Sequence, residues 1–140
     1  MDTAPITVEA TLNAPLEKVW AAWNTPDDIK RWNTASADWH TTASSVDLRE
    51  GGRFSSRMEA KDGSFAFDFG GTYVAVEPNS HLRYRLDDDR HVDIDFIDHG
   101  DGRVTVRETF DAERTHSRAQ QQQGWQAILD NFRRHVEAMP

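Results

Sequence analysis

The chain has 140 residues and a mass of 16.0 kDa, enough for one continuous core but not for two ordinary ones, so one domain over residues 1–140 is expected. Its 16 basic and 24 acidic residues leave a formal charge of -8, which repels a phosphate backbone and argues against nucleic acid as a partner. Cysteine is absent, which removes disulfides, thiolate nucleophiles and sulfur-ligated metals, and with neither a leader pattern near Met1 nor a run of about 18 apolar residues a cytoplasmic protein without a membrane span is expected.

Ile6, Val8, Ala10 and Leu12 alternate with Thr7, Glu9 and Thr11, the period of a strand with one buried face. Pro15 suits the first turn of a helix, and Leu16, Val19, Trp20 and Trp23 recur at helical spacing behind it. Thr25, Pro26, Asp27 and Asp28 then supply an N-cap residue, a first-turn proline and two carboxylates for a second short helix that Trp32 closes. Residues 33–45 are rich in Thr, Ser and Ala without a sustained period, and predict an irregular connection that carries Trp39 and His40.

From Val46 to Phe110 the period is 2 almost throughout. Val46 and Leu48 lead into a turn at Glu50, Gly51 and Gly52; Phe54, Ser56 and Met58 share the next inward face; Asp62-Gly63 marks a hairpin. Phe65, Phe67 and Phe69 alternate next, but the apolar set then continues as Val74 and Val76, so a β-bulge is expected at Gly70-Gly71, with Tyr73 facing outward. Leu82, Tyr84 and Leu86, then Val92, Ile94 and Phe96, then Val104, Val106 and Phe110 form the last three rows. Ser117 and Gln120 form a capping-box pattern ahead of a helix of roughly 30 Å. Its stripe is Trp125, Ile128, Leu129, Phe132 and Val136, extended one turn upstream by Gln121. The class is therefore α+β: one strand, two short helices, six more strands making about seven antiparallel strands, and a long C-terminal helix around which the curved sheet wraps.

These residues carry a resemblance. Ala14-Pro15 with Val19-Trp20, Thr25-Pro26 with Trp32, Asp47-Leu48-Arg49 with Gly51-Gly52-Arg53-Phe54, Gly71-Thr72-Tyr73, and Gly124-Trp125 with Leu129 together resemble the START-like (SRPBCC) superfamily. Within it they are similar to the family of the activator of Hsp90 ATPase C-terminal domain. The resemblance implies a helix-grip fold, often with an apolar cavity between sheet and helix. Its members include lipid and hormone carriers, aromatase or cyclase enzymes and co-chaperone modules, so it implies no single chemistry. It extends to the C-terminal domain alone, and Hsp90 activation is not expected of this chain.

Residue chemistry narrows the candidates. The 6 histidines lack any spacing that would bring two ligands to one metal, and Asp93, Asp95, Asp98 and Asp101 lack the glycine and terminal glutamate offsets of a calcium loop. No metal and no cofactor is expected. Glu108 shares its face with Val104, Val106 and Phe110; a carboxyl there is either desolvated, and able to anchor a ligand or act as a general acid or base, or it reaches solvent at the strand end. Gln121 could bond a ligand at a cavity mouth or lie on the surface. Trp39, Phe54, Phe67, Phe69, Trp125 and Leu129 could line a cavity or fill the core, and Ser56 could orient a guest. The first expectation is a binding protein for a small hydrophobic, lipid-like or aromatic molecule, as monomer or homodimer. The second is a co-chaperone-like module with a protein partner. A cyclase-type enzyme ranks last, since Glu108 is its single catalytic candidate.

Overall fold

The fold is described from a computed structural model covering residues 4–140; residues 1–3 of the expected domain lie outside the described residues. The order of elements is β1 (Ile6–Asn13), α1 (Leu16–Asn24), α2 (Pro26–Trp32), β2 (Trp39–Val46), β3 (Arg53–Ala60), β4 (Ala66–Glu77), β5 (His81–Leu86), β6 (His91–Asp98), β7 (Arg103–Phe110) and α3 (Arg118–Ala138). Among the described residues the strands form one antiparallel sheet in the order β1-β7-β6-β5-β4-β3-β2. The sheet curls around α3, which is the α+β helix-grip arrangement expected.

Strict alternation in β1 and β7 buries Ile6, Val8, Leu12, Val104, Val106 and Phe110 against Leu129, Phe132 and Val136 of α3. Ser117 and Gln120 close a reciprocal capping box at the start of α3, satisfying two backbone donors that the first turn would otherwise leave open. Thr25 occupies the N-cap position of α2 without capping it. Its hydroxyl instead donates 2.6 Å back to the Ala21 carbonyl and so finishes α1, while Pro26 at the first helical position of α2 needs no N–H partner.

Two sequence expectations are corrected. Trp39–Val46 is an edge strand, β2, where an irregular connection was expected. Apolar periodicity misses it because only Thr41 along it is buried; ladder bonds to β3, with a slip between Thr41 and Ala43, hold it instead. The second correction concerns β4, which runs unbroken through Gly70 and Gly71 in regular pairing with Ser55 and Phe54. The bulge lies beyond them, between Tyr73 and Ala75 against β5. Val74 is therefore the residue turned out, 47% exposed, and Tyr73 the one turned in, 5% exposed. Gly71 serves close approach rather than a phase change: a Cβ there would lie 2.4 Å from the Arg85 carbonyl oxygen, closer than any side chain permits where the sheet bends.

Candidate functional site

On the β1 side of the sheet, α3 rests directly on the strands. On the other side β2, β3 and β4 curl away, and the gap is only partly roofed by α2 and the first turns of α3. It leaves a cavity of about 250 Å³. Aromatic walls come from both layers: Trp32 from α2, Phe54 from β3, Phe67 and Phe69 from β4, Trp125 from α3. Each reaches the cavity by strand or helix period, Phe54 and Phe69 by sitting on the inward face of paired strands.

The rings lock one another. Phe54 lies 4.7 Å from Tyr84 and 5.3 Å from Tyr73, centroid to centroid. Trp125 stacks on Phe110 at 3.9 Å and 10° and meets Phe69 edge-on at 6.3 Å, so it bridges the filled and the hollow parts of the interior. Trp32 packs against Trp23 and Phe132, and its indole N–H donates to the Ala22 carbonyl at 3.0 Å. That wall is fully satisfied and presents only its apolar face.

The polar groups of the lining are few: chiefly Glu108, Tyr73, Tyr84, Ser44, Ser56 and Arg90. Ser56 is buried with its hydroxyl 3.4 Å from that of Ser44. Arg90, at the β5–β6 turn, is matched outside the cavity by Asp88, 2.8 Å from its Nε. Glu108 stands opposite Val8 of β1 and Ile94 of β6 and is 4% exposed. Among the described residues nothing donates a hydrogen bond to its carboxyl or pairs with it, and no buried polar side-chain atom is sealed without a partner; the carboxyl therefore opens into the cavity.

Burial raises the Glu108 carboxyl from 4.5 to about 8, because a charge there would lose its water without gaining a partner. Burial also pushes the Tyr84 hydroxyl well up, with the nearby Glu108 and Tyr73 adding to the shift. Tyr73 is raised by burial and then by Asp47. A carboxyl that keeps its proton at neutral pH can donate to a carbonyl or hydroxyl; once ionised it can hold a cation or take a proton.

Six of the nine side chains singled out from sequence, Phe54, Ser56, Phe67, Phe69, Glu108 and Trp125, meet at this cavity. The other three lie elsewhere. Trp39 packs on Phe65 and Phe67 outside the lining, at 6.1 and 5.8 Å. Leu129 is fully buried in the filled core. Gln121 is buried as a clamp on the loop ahead of α3, accepting from the Glu113 N–H at 2.8 Å and donating to the carbonyls of Glu113 and His116 at 3.0 and 2.9 Å. Sequence reasoning passed over Tyr84 and Arg90. Tyr84 carried a signal, a hydroxyl in the same inward row as Leu82 and Leu86; Arg90 carried none, since it lies in a turn.

A curved sheet gripping a C-terminal helix over a hollow, aromatic-walled interior defines a START-like protein. The sequence profile described as Activator of Hsp90 ATPase homolog 1-like protein matches residues 13–137, and the chain belongs to that family. It is similar to the solution structure of an AHSA1-like protein from Aeromonas hydrophila, with 56% identity, TM-score 0.89, and 96% of this chain and 92% of that chain covered. It is also similar to the solution structure of a Cytophaga hutchinsonii protein, at 47% identity, TM-score 0.83 and coverage of 95% and 92%. A Chromobacterium violaceum crystal structure shares the fold, with TM-score 0.85 at 23% identity over 96% of this chain and 99% of that one. No functionally curated protein matches.

Proposed function

We propose that this protein binds a small hydrophobic or aromatic molecule in the cavity between the sheet and α3. The observation that carries the reading is the hollow itself: about 250 Å³ walled by aromatic rings, with a nearly buried carboxyl that has no partner among the described residues. Interiors normally close on themselves at high packing density, and an apolar pocket with a few convergent polar groups is the usual form of a small-molecule site. Phe54, Phe69 and Trp125 supply the apolar contact, and Phe67, 42% exposed, stands where a guest would enter. Ser56 and Glu108 orient it.

The test is a thermal-shift screen against lipids, flavonoids and polyketide-like aromatics. Binding to the native state alone adds RT ln(1 + [L]/Kd) of stability, so a reproducible, saturable rise in Tm from one chemical class supports the reading. Uniform silence contradicts it. A second reading, a protein-interaction module of the co-chaperone type, draws on the exposed Phe65 beside Phe67 and Trp39 near the β2 edge; it predicts that silence together with capture of a protein partner through those rings.

A further inference from the structure

The charged groups of the cavity are unequal. Arg90 and Glu108 are the two lining residues that carry a formal charge, and they are differently placed. The Arg90 guanidinium is answered by Asp88, whereas the Glu108 carboxyl, 4% exposed, is answered by nothing among the described residues. The hydroxyls of Tyr73 on β4 and Tyr84 on β5 likewise make no hydrogen bond with another described residue. What this pocket lacks is a partner for that carboxyl, and a counter-charge for it once it is ionised.

We infer that the guest is an organic cation, a small aromatic or alkyl amine, whose ammonium group pairs with Glu108 while its apolar part lies against Phe54, Phe69 and Trp125. The inference rests on the ligand-binding reading above and names the class of ligand. An ammonium brings up to three N–H donors, enough for the carboxylate and a tyrosine oxygen together. Aromatic faces carry the negative side of their quadrupoles and attract a desolvated cation. The overall charge of -8 draws cations toward the protein and repels fatty acids and other anions, and once Glu108 ionises, above about pH 8, an anion that entered would meet a second negative charge. Since an apolar cavity of about 150 Å³ accommodates benzene, this one suits one or two rings.

The pairing has a proton balance. In the empty cavity Glu108 holds its proton up to about pH 8; an entering ammonium keeps its own protons and displaces that one to solvent. The titratable groups that share the cavity with Glu108 are Tyr84 from β5, Tyr73 from β4 and Arg90 from the β5–β6 turn; α1, α2, α3, β2 and β3 line it with non-titrating side chains only, and the paired strands β1 and β6 set Val8 and Ile94 opposite Glu108. Both tyrosines are shifted upward and stay protonated at neutral pH. Affinity for an amine should then rise roughly 20-fold from pH 6.5 to 8.5, with nearly one proton released per amine at pH 7.

The experiment is isothermal titration calorimetry of the whole protein and of Glu108→Gln with three probes: 2-(1-naphthyl)ethylamine, 2-(1-naphthyl)ethanol and 1-naphthylacetate. Titrations in two buffers of different ionisation enthalpy count the protons. The expected result is amine bound about tenfold or more tighter than alcohol at pH 8, a difference of about 1.4 kcal/mol, acetate weakest, and the amine preference lost in Glu108→Gln. Proton release is read on the unaltered protein, so the test survives a variant that fails to fold. An alcohol that binds as tightly as the amine, with no proton released, overturns this inference and leaves the cavity reading standing. Silence from all three probes overturns both.

Discussion

Replacing Glu108 by glutamine keeps the shape of the side chain and removes its titration, so it isolates the free energy stored in the buried carboxyl. In the folded protein that carboxyl holds its proton up to about pH 8, against an ordinary value of 4.5. Between those two values the folded state carries a proton that the unfolded chain has already lost. Stability from this group is therefore complete below pH 4.5 and falls as the pH rises, by about 1.4 kcal/mol per unit, until the folded carboxyl ionises. The full loss above pH 8 is about 5 kcal/mol, a large part of the roughly 5–15 kcal/mol that holds a domain together. Glutamine has no such loss. Urea unfolding followed by tryptophan fluorescence, on both proteins at pH 5.5 and 8.5, should show the variant gaining about 3 kcal/mol relative to the parent across that interval. Taking the difference cancels every other titrating group. Parallel pH profiles would mean that Glu108 ionises in the folded protein as it does in water, and that burial does not hold its proton.

Other substitutions probe the frame around the cavity. Trp125→Ala removes the ring stacked on Phe110 and should cost about 3 kcal/mol in urea unfolding, and abolish any Tm rise caused by a cavity ligand. Gln121→Ala leaves the Glu113 N–H and the carbonyls of Glu113 and His116 without their partner, for a loss of roughly 2–3 kcal/mol; its ligand response should match the parent's, as Gln121 lies outside the lining. Gly71→Ala drives a methyl against the Arg85 carbonyl oxygen and should destabilise by about 3 kcal/mol, seen as a lower Tm. Phe65→Ser, at a ring 62% exposed, should change stability by no more than about 0.5 kcal/mol.

Where one face of a strand is buried along its whole length, sequence period alone locates its residues. β1 and β7 are of that kind, and Glu108 could be placed on the inward face because Val104, Val106 and Phe110 flank it in strict alternation. The capping box at Ser117 and the stripe of α3 were legible for the same reason, a local rule acting on adjacent residues. Tyr73 was not, because the position of a bulge depends on how β4 passes from pairing with β3 to pairing with β5, and the two glycines marked a close approach instead. β2 was illegible since WHTTASSV owes its strand to ladder bonds with β3 rather than to apolar burial. The helical stripe placed Gln121 in line with the buried residues of α3 but left a cavity mouth or the surface open; that it is buried on a loop was not legible, because its partners belong to a segment that has no pattern of its own. That Phe54, Phe69 and Trp125 surround a hollow rather than a filled core followed from the curl of the sheet away from α3, a property of all the strands together.

The proposed ligand site is the hollow between the sheet and α3. The measurement that tests it most directly is an amide NMR titration with 2-(1-naphthyl)ethylamine and 2-(1-naphthyl)ethanol, each followed to saturation. Saturable shifts are expected to cluster on the lining, at Phe54, Ser56, Phe69, Tyr84, Glu108, Trp125 and Ile128, with the exposed Gln122 and Gln123 of α3 unmoved. No saturable shifts, or shifts confined to residues outside the cavity, would contradict it.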